Sequence, residues 1–174
     1  MASGDLLCAF TPYHAELPSS NYATLDAITA ATGLRPVLDF DSATDETAIF
    51  TGTMPNNYSA ATGVTVKIKF AMDTTNTGTK NVVWDAAFER CEDAVALGAA
   101  GNDFAAVNSV TAVVDNTANN LEASTGTITF TAGADMDSVV SGDVFRLKIT
   151  RDANNGSDDA TGDAQVIAVE VWET

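Results

Sequence analysis

From residue 34 onward the chain runs in short stretches where apolar and polar positions alternate, separated by Gly, Asn, Asp, Ser and Thr. Period-two alternation bounded by turn residues is how a half-buried antiparallel strand reads in sequence. It predicts strands at 35–40, 47–53, 63–72, 81–91, 107–115, 125–131, 144–151 and 164–173, about eight in all. The clearest carries Val64, Val66, Ile68, Phe70 and Met72 on one face and Lys67 and Lys69 on the other. Val82, Trp84, Ala86 and Phe88 repeat the pattern, as do Phe145, Leu147 and Ile149, so these three strands are expected to share one core. The last run is apolar on both sides, with Ile167, Val169 and Val171 against Val166, Ala168 and Trp172, which suits a central strand or one whose second face lies against a partner.

Residues 1–33 lack sustained alternation and carry Pro12, Pro18 and the turn-like Ser19-Ser20-Asn21. We read them as an N-terminal arm, leaving 34–174 as the domain. Within the arm, 24–31 suits either one or two helical turns stopped by Gly33 or an extended segment. Its apolar residues Leu6, Leu7, Phe10, Tyr13, Leu17 and Tyr22 are expected to make inter-subunit contacts. The alternative is that they complete the domain's own core as an extra edge strand. Around 135–143 the spacing predicts a single helical turn before Gly142.

Composition narrows the class. At 174 residues with 45% hydrophobic content, mostly Ala and Val, the chain fills one core. An all-β antiparallel sandwich or jelly roll with an N-terminal arm is the fold expected. Acidic residues number 24 against 8 basic, a net charge of −16, which repels phosphate backbones and anionic membranes. We therefore expect no nucleic-acid or membrane partner. No signal-like leader or long apolar run is seen, and the chain reads as soluble and made in the cytoplasm.

Catalytic chemistry is sparse. His14 is the only histidine and lies in the arm, a poor place to activate Cys8 or a serine. Cys8 and Cys91 lack the paired spacing of a zinc site. Acid pairs such as Asp39/Asp41 and Glu89/Glu92 are what chance supplies among so many carboxylates, and Asp39 and Asp41 share one strand face, where they are either solvated or cap the turn at 42–44. The loop 152–159 sets oxygen ligands at alternate positions with Gly156 in the turn, partly as calcium requires, but turn formation without metal is the favoured reading. Gly98-Ala99-Ala100-Gly101 lacks the residues of a phosphate cradle. Trp84 belongs to the core, which leaves Tyr22, Tyr58 and Trp172 as candidate exposed aromatics. No enzyme activity, cofactor or metal is expected.

Four segments, 35–41, 48–58, 82–90 and 145–152, resemble a family of phage and prophage proteins, jelly-roll virion components of tailed bacteriophages. The resemblance covers roughly residues 18–173 and marks strands and turns, with no active site. It implies a capsid cement or decoration protein on the outer surface of the virion, a trimer that bridges copies of the major capsid protein. The other role it allows is a fibre or receptor-binding module that recognises host-surface glycans through loops 74–80 or 152–163.

Overall fold

The computed structural model describes residues 4–97 and 103–174. Eleven strands are found among them: β1 (Leu6–Phe10), β2 (Ala15–Glu16), β3 (Thr24–Ala30), β4 (Gly33–Phe40), β5 (Glu46–Thr53), β6 (Val64–Met72), β7 (Asn81–Cys91), β8 (Asn108–Val113), β9 (Glu122–Phe130), β10 (Val144–Arg151) and β11 (Ala164–Glu173). They form two antiparallel sheets. Sheet A runs β3-β4-β11-β6-β9 with β1 added to β11, and sheet B runs β2-β5-β10-β7-β8. From β4 to β11 the chain passes to the other sheet at every connection except β7–β8, so the expected all-β sandwich is the observed one.

The sequence pattern explains the layers. The apolar sides of β6, β7 and β10 meet in one core, with β6 in sheet A facing β7 and β10 in sheet B. Trp84 is fully buried and takes Phe40 and Phe70 edge-on at ring separations of 5.1 and 5.4 Å. Nearer the other end, Phe88 meets Phe130 at 5.0 Å and Phe145 at 5.5 Å. Such contacts add about 0.5–1.5 kcal/mol per pair beyond the area they bury. β11 is central, as its two apolar faces predicted. Its far edge is shared, pairing with β4 through Ala164, Gln165 and Val166 and with β1 from Val169 to Trp172. The irregularity at Ile167 separates the two.

The expected arm is drawn into the sheets. Leu7 and Phe10 join the core, the alternative left open above, and Phe10 stacks on Phe50 at 5.4 Å. Leu6, Tyr13, Leu17 and Tyr22 remain exposed. Residues 24–30 are a strand and not helical turns: a helix this short is marginal, whereas a hairpin to β4 satisfies the backbone of both segments. The turn predicted around 135–143 is a 3-10 helix, Ala134–Met136, and Gly142 follows with a φ of +88°.

A charged pair lies inside the sandwich at one end. Arg151 continues the inward series Phe145, Leu147, Ile149 at the end of β10 and is fully buried. Its Nε and Nη2 donate to Asp158 at 3.1 and 2.9 Å, and Asp158 also accepts from the Val83 amide. Nη1 donates to the carbonyls of Phe40 and Gly162, and Nη2 to that of Ala160. The guanidinium, anchored in sheet B, thus holds β4 of sheet A and the loop before β11. Asp158→Ala leaves this cation unpaired in the interior, and we expect a loss of about 3–5 kcal/mol in urea unfolding. A loss below about 1 kcal/mol would show that the pair does not organise this end.

Candidate functional site

The outer face of sheet B carries a cleft at the end opposite Arg151. Register sets its floor: Arg146 on β10 lies between Thr51 of β5 and Glu89 of β7, and Val144 lies beside Cys91. The Arg146 side chain is held on both sides, by Glu89 at 2.9 Å from Nη1 and by Glu16 of β2 at 3.3 Å from Nε. Thr51 donates its hydroxyl to Glu16. Glu89 is buried and Glu16 is open to solvent, so the row runs from a fixed floor to a free rim. On the rim Arg90 is 2.7 Å from Asp143 and 3.7 Å from Glu92. Leu97 and Gly142 complete a space of about 740 Å³.

Next to it Phe104 lies under two cations, 4.7 Å from Lys148 Nζ and 5.5 Å from the Arg146 guanidinium carbon. The Ala105 amide donates to the Phe88 carbonyl and fixes this segment against β7. Five acids, Glu16, Glu89, Glu92, Asp93 and Asp143, line the cleft against two arginines. The local excess of negative charge disfavours anions, while donors and acceptors fixed on strands suit a neutral ligand rich in hydroxyls. The two convergent acids, Glu16 and Glu89, are both ion-paired with the Arg146 guanidinium between them.

Of the residues singled out from sequence, Glu89, Cys91 and Glu92 line this cleft, and the other residues and loops lie elsewhere. Loops 74–80 and 152–163, expected to carry glycan contacts, are at the Arg151 end and are stitched to each other: Asn76 bonds the Thr161 backbone and hydroxyl, and Lys80 pairs with Asp159. Asp158 and Asp159 accept from protein donors, which is turn chemistry. Among the described residues no group of three or more His, Cys, Asp or Glu is arranged to hold a metal. Tyr58, expected exposed, is buried with its hydroxyl on Met136 Sδ. Trp172 is half-buried, with Lys67 Nζ 4.3 Å from its ring centre and its Nε1 donating to Glu170. His14 Nδ1 accepts from the Thr11 amide and Cys8 donates to the Thr53 carbonyl, with burial pushing the Cys8 thiol up to about 11. Gly98 to Gly101 lie outside the described residues. Of the two alternatives for Asp39 and Asp41, Asp41 takes the capping one, accepting from the Ala43 amide at 2.7 Å.

No family model matches the chain, and no curated protein does. Among solved structures, a family GH115 4-O-methyl-alpha-glucuronidase with specificity for decorated arabinogalactans matches 99% of this chain at 10% identity and a TM-score of 0.48. This chain spans only 18% of that enzyme. A carbohydrate-binding module described for specific mannan recognition matches at 9% identity over 99% of both chains, TM-score 0.43. A family 11 carbohydrate-binding module from Clostridium thermocellum, in complex with a beta-1,3-1,4-mixed-linked tetrasaccharide, matches at 8% identity over 100% of this chain and 98% of its own, TM-score 0.43.

A second acid cluster, on β4 and the loops beside it, was not foreseen. Asp39 interrupts the apolar run Val37-Leu38-Asp39-Phe40, and its Oδ1 is buried without a hydrogen-bond partner. Its carboxyl is pushed up to about 6, first by burial and then by Asp163, Asp26 and Asp73. Asp163 and Glu46 nearby are also raised, again chiefly by burial. Because the folded value of Asp39 lies above the unfolded one, its contribution is present below about pH 4 and lost as pH rises through about 6. Asp39→Asn should therefore stabilise the protein at pH 7 by about 1 kcal/mol, after discounting for the half-exposed side chain, and bring no gain at pH 4. Urea midpoints at the two pH values check this, and equal effects at both would refute it.

Proposed function

We propose that this chain is a non-catalytic recognition module that binds neutral glycans in the cleft on the outer face of sheet B. The observation that carries the reading is Arg146, held between Glu89 and Glu16 at the floor of a 740 Å³ space. A fixed guanidinium flanked by carboxylates offers donors and acceptors side by side, the match for neighbouring sugar hydroxyls that both donate and accept. Leu97 and Val144 supply apolar surface for the C–H face of a ring. The excess of acids selects against uronic or sulfated chains. In the phage setting that the sequence resembles, this is the fibre or receptor-binding role, with the cleft replacing the loops as the contact surface.

Calorimetric titration against neutral and anionic oligosaccharides tests the reading. Neutral glycans should bind and anionic ones should not, and Arg146→Ala should weaken binding about tenfold to a hundredfold, the worth of hydrogen bonds to a charged group. Absence of binding by every neutral glycan, or binding indifferent to Arg146→Ala, would sink it.

The second reading is the capsid cement role, favoured by the exposed apolar residues Leu6, Tyr13, Leu17 and Tyr22 on the N-terminal segment. On that reading the chain is present in virions at a copy number comparable with that of the major capsid protein, measured by quantitative mass spectrometry. A handful of copies fits the fibre role instead, and absence from virions discards the phage setting.

A further inference from the structure

The β3–β4 hairpin reaches past β11: only the last three residues of β4 pair with it. Further out, one face of the hairpin lies against the body, where Ile28, Thr29 and Arg35 line a shallow pocket with Asn119, Leu121 and Ile167. β3 is the end strand of sheet A, and no described residue hydrogen-bonds to its outer edge. Natural edge strands are usually guarded by lysine, proline or a bulge. β3 reads Thr-Leu-Asp-Ala-Ile-Thr-Ala over seven regular residues, with none of these guards. Leu25, on the side of the hairpin that Leu38 continues into the core, is 49% exposed, and Leu34 on the same side is 72% exposed.

We propose that β3 pairs antiparallel with β3 of a second copy, making one continuous sheet across a two-fold axis. Charge points to this occupant. In a chain of net charge −16, a second copy is repelled wherever the surface is acidic, yet residues 17–38 carry one acid, Asp26, and one base, Arg35. This is the neutral stretch along which two acidic molecules approach without that penalty. Among the described residues neither Asp26 nor Arg35 has an ion-pair partner, although every other Lys and Arg is matched with a carboxylate or an aromatic ring.

The strand's own length fixes the register. Pairing all seven residues antiparallel puts Ala27 of each copy on the axis, so Thr24 meets Ala30 and Leu25 meets Thr29 of the other copy. Asp26 then lies opposite Ile28 of the other copy, whose neighbour on β4 is Arg35. Like charges are kept apart, and each Asp26 shares a face with the other copy's Arg35 two strands away. A two-fold contact of this kind is self-complementary and closes, so it stops at a dimer.

Sedimentation velocity over a concentration series at about 0.15 M salt, where remote charges are screened, tests the pairing. The full chain should sediment as a monomer–dimer equilibrium. Ala27→Lys sets two ammonium groups against each other on the axis and should weaken the dimer about tenfold or more. Ile28→Lys and Ile28→Glu lose the same apolar group but face Asp26 with opposite charge, so the Lys variant should dimerise about tenfold more tightly than the Glu variant. Circular dichroism should be unchanged in all three, so the comparison does not rest on any one of them folding. A chain that stays monomeric throughout, forms a trimer, or dimerises equally well in all variants overturns the proposal.

Discussion

A guanidinium taken out of water costs several kcal/mol unless each of its donors meets an acceptor, and Arg151 meets that condition with one carboxylate and three carbonyls. The acceptors come from β4 and the 152–163 loop, and Asp158 is itself held by β7. A lysine, with one ammonium and three donors, would not span them. Much of this end of the molecule follows from that constraint. The loop has to turn inward to deliver Asp158, Ala160 and Gly162, and Gly162 does so with φ +84° where a Cβ would run into Asp73 and Thr74. Asn76 then ties the neighbouring loop to Thr161. Two loops rich in turn residues thereby become a rigid cap.

The opposite end of sheet B has no such plug. There Arg146 stands on the outer face of the sheet and Arg90 at its end, each between two carboxylates, and a cleft remains beside them. Rigidity at one end and open, hydrogen-bonding space at the other is the arrangement expected of a strand-built recognition surface, because side chains fixed on strands lose little freedom when a ligand arrives.

The strands from β4 to β11 were legible because each has one face in the core, which imposes period two. β1 was hidden by the irregularity between Leu6 and Cys8, which breaks the alternation of a short edge strand. β3 was hidden because it pairs only with β4 and stands beyond the core, so nothing requires its residues to alternate. Arg151 was readable: it falls at the next inward position after Ile149, a signal that a run ending in Arg conceals. Asp39 carried the same kind of signal, a lone acid among Val37, Leu38 and Phe40. The cleft was out of reach, because Glu16, Glu89 and Arg146 come together only through the order β2-β5-β10-β7, and alternation says which way a side chain points but not which strand lies beside it.

The place of β11 has a consequence for biosynthesis. β1 and β4 at one edge and β6 at the other are joined in sheet A only through β11, the latest of the eleven strands in sequence, about 160 residues after β1. Until residues 164–173 leave the ribosome, sheet A has no middle, and β4 and β6 present apolar faces with no common partner. Loop closure over such separations is slow, so sheet A is expected to form only once β11 has been made, and not strand by strand before it. The nascent polypeptide is then most exposed to mispairing at the moment when its unguarded edges are already present and the strand that organises them is not.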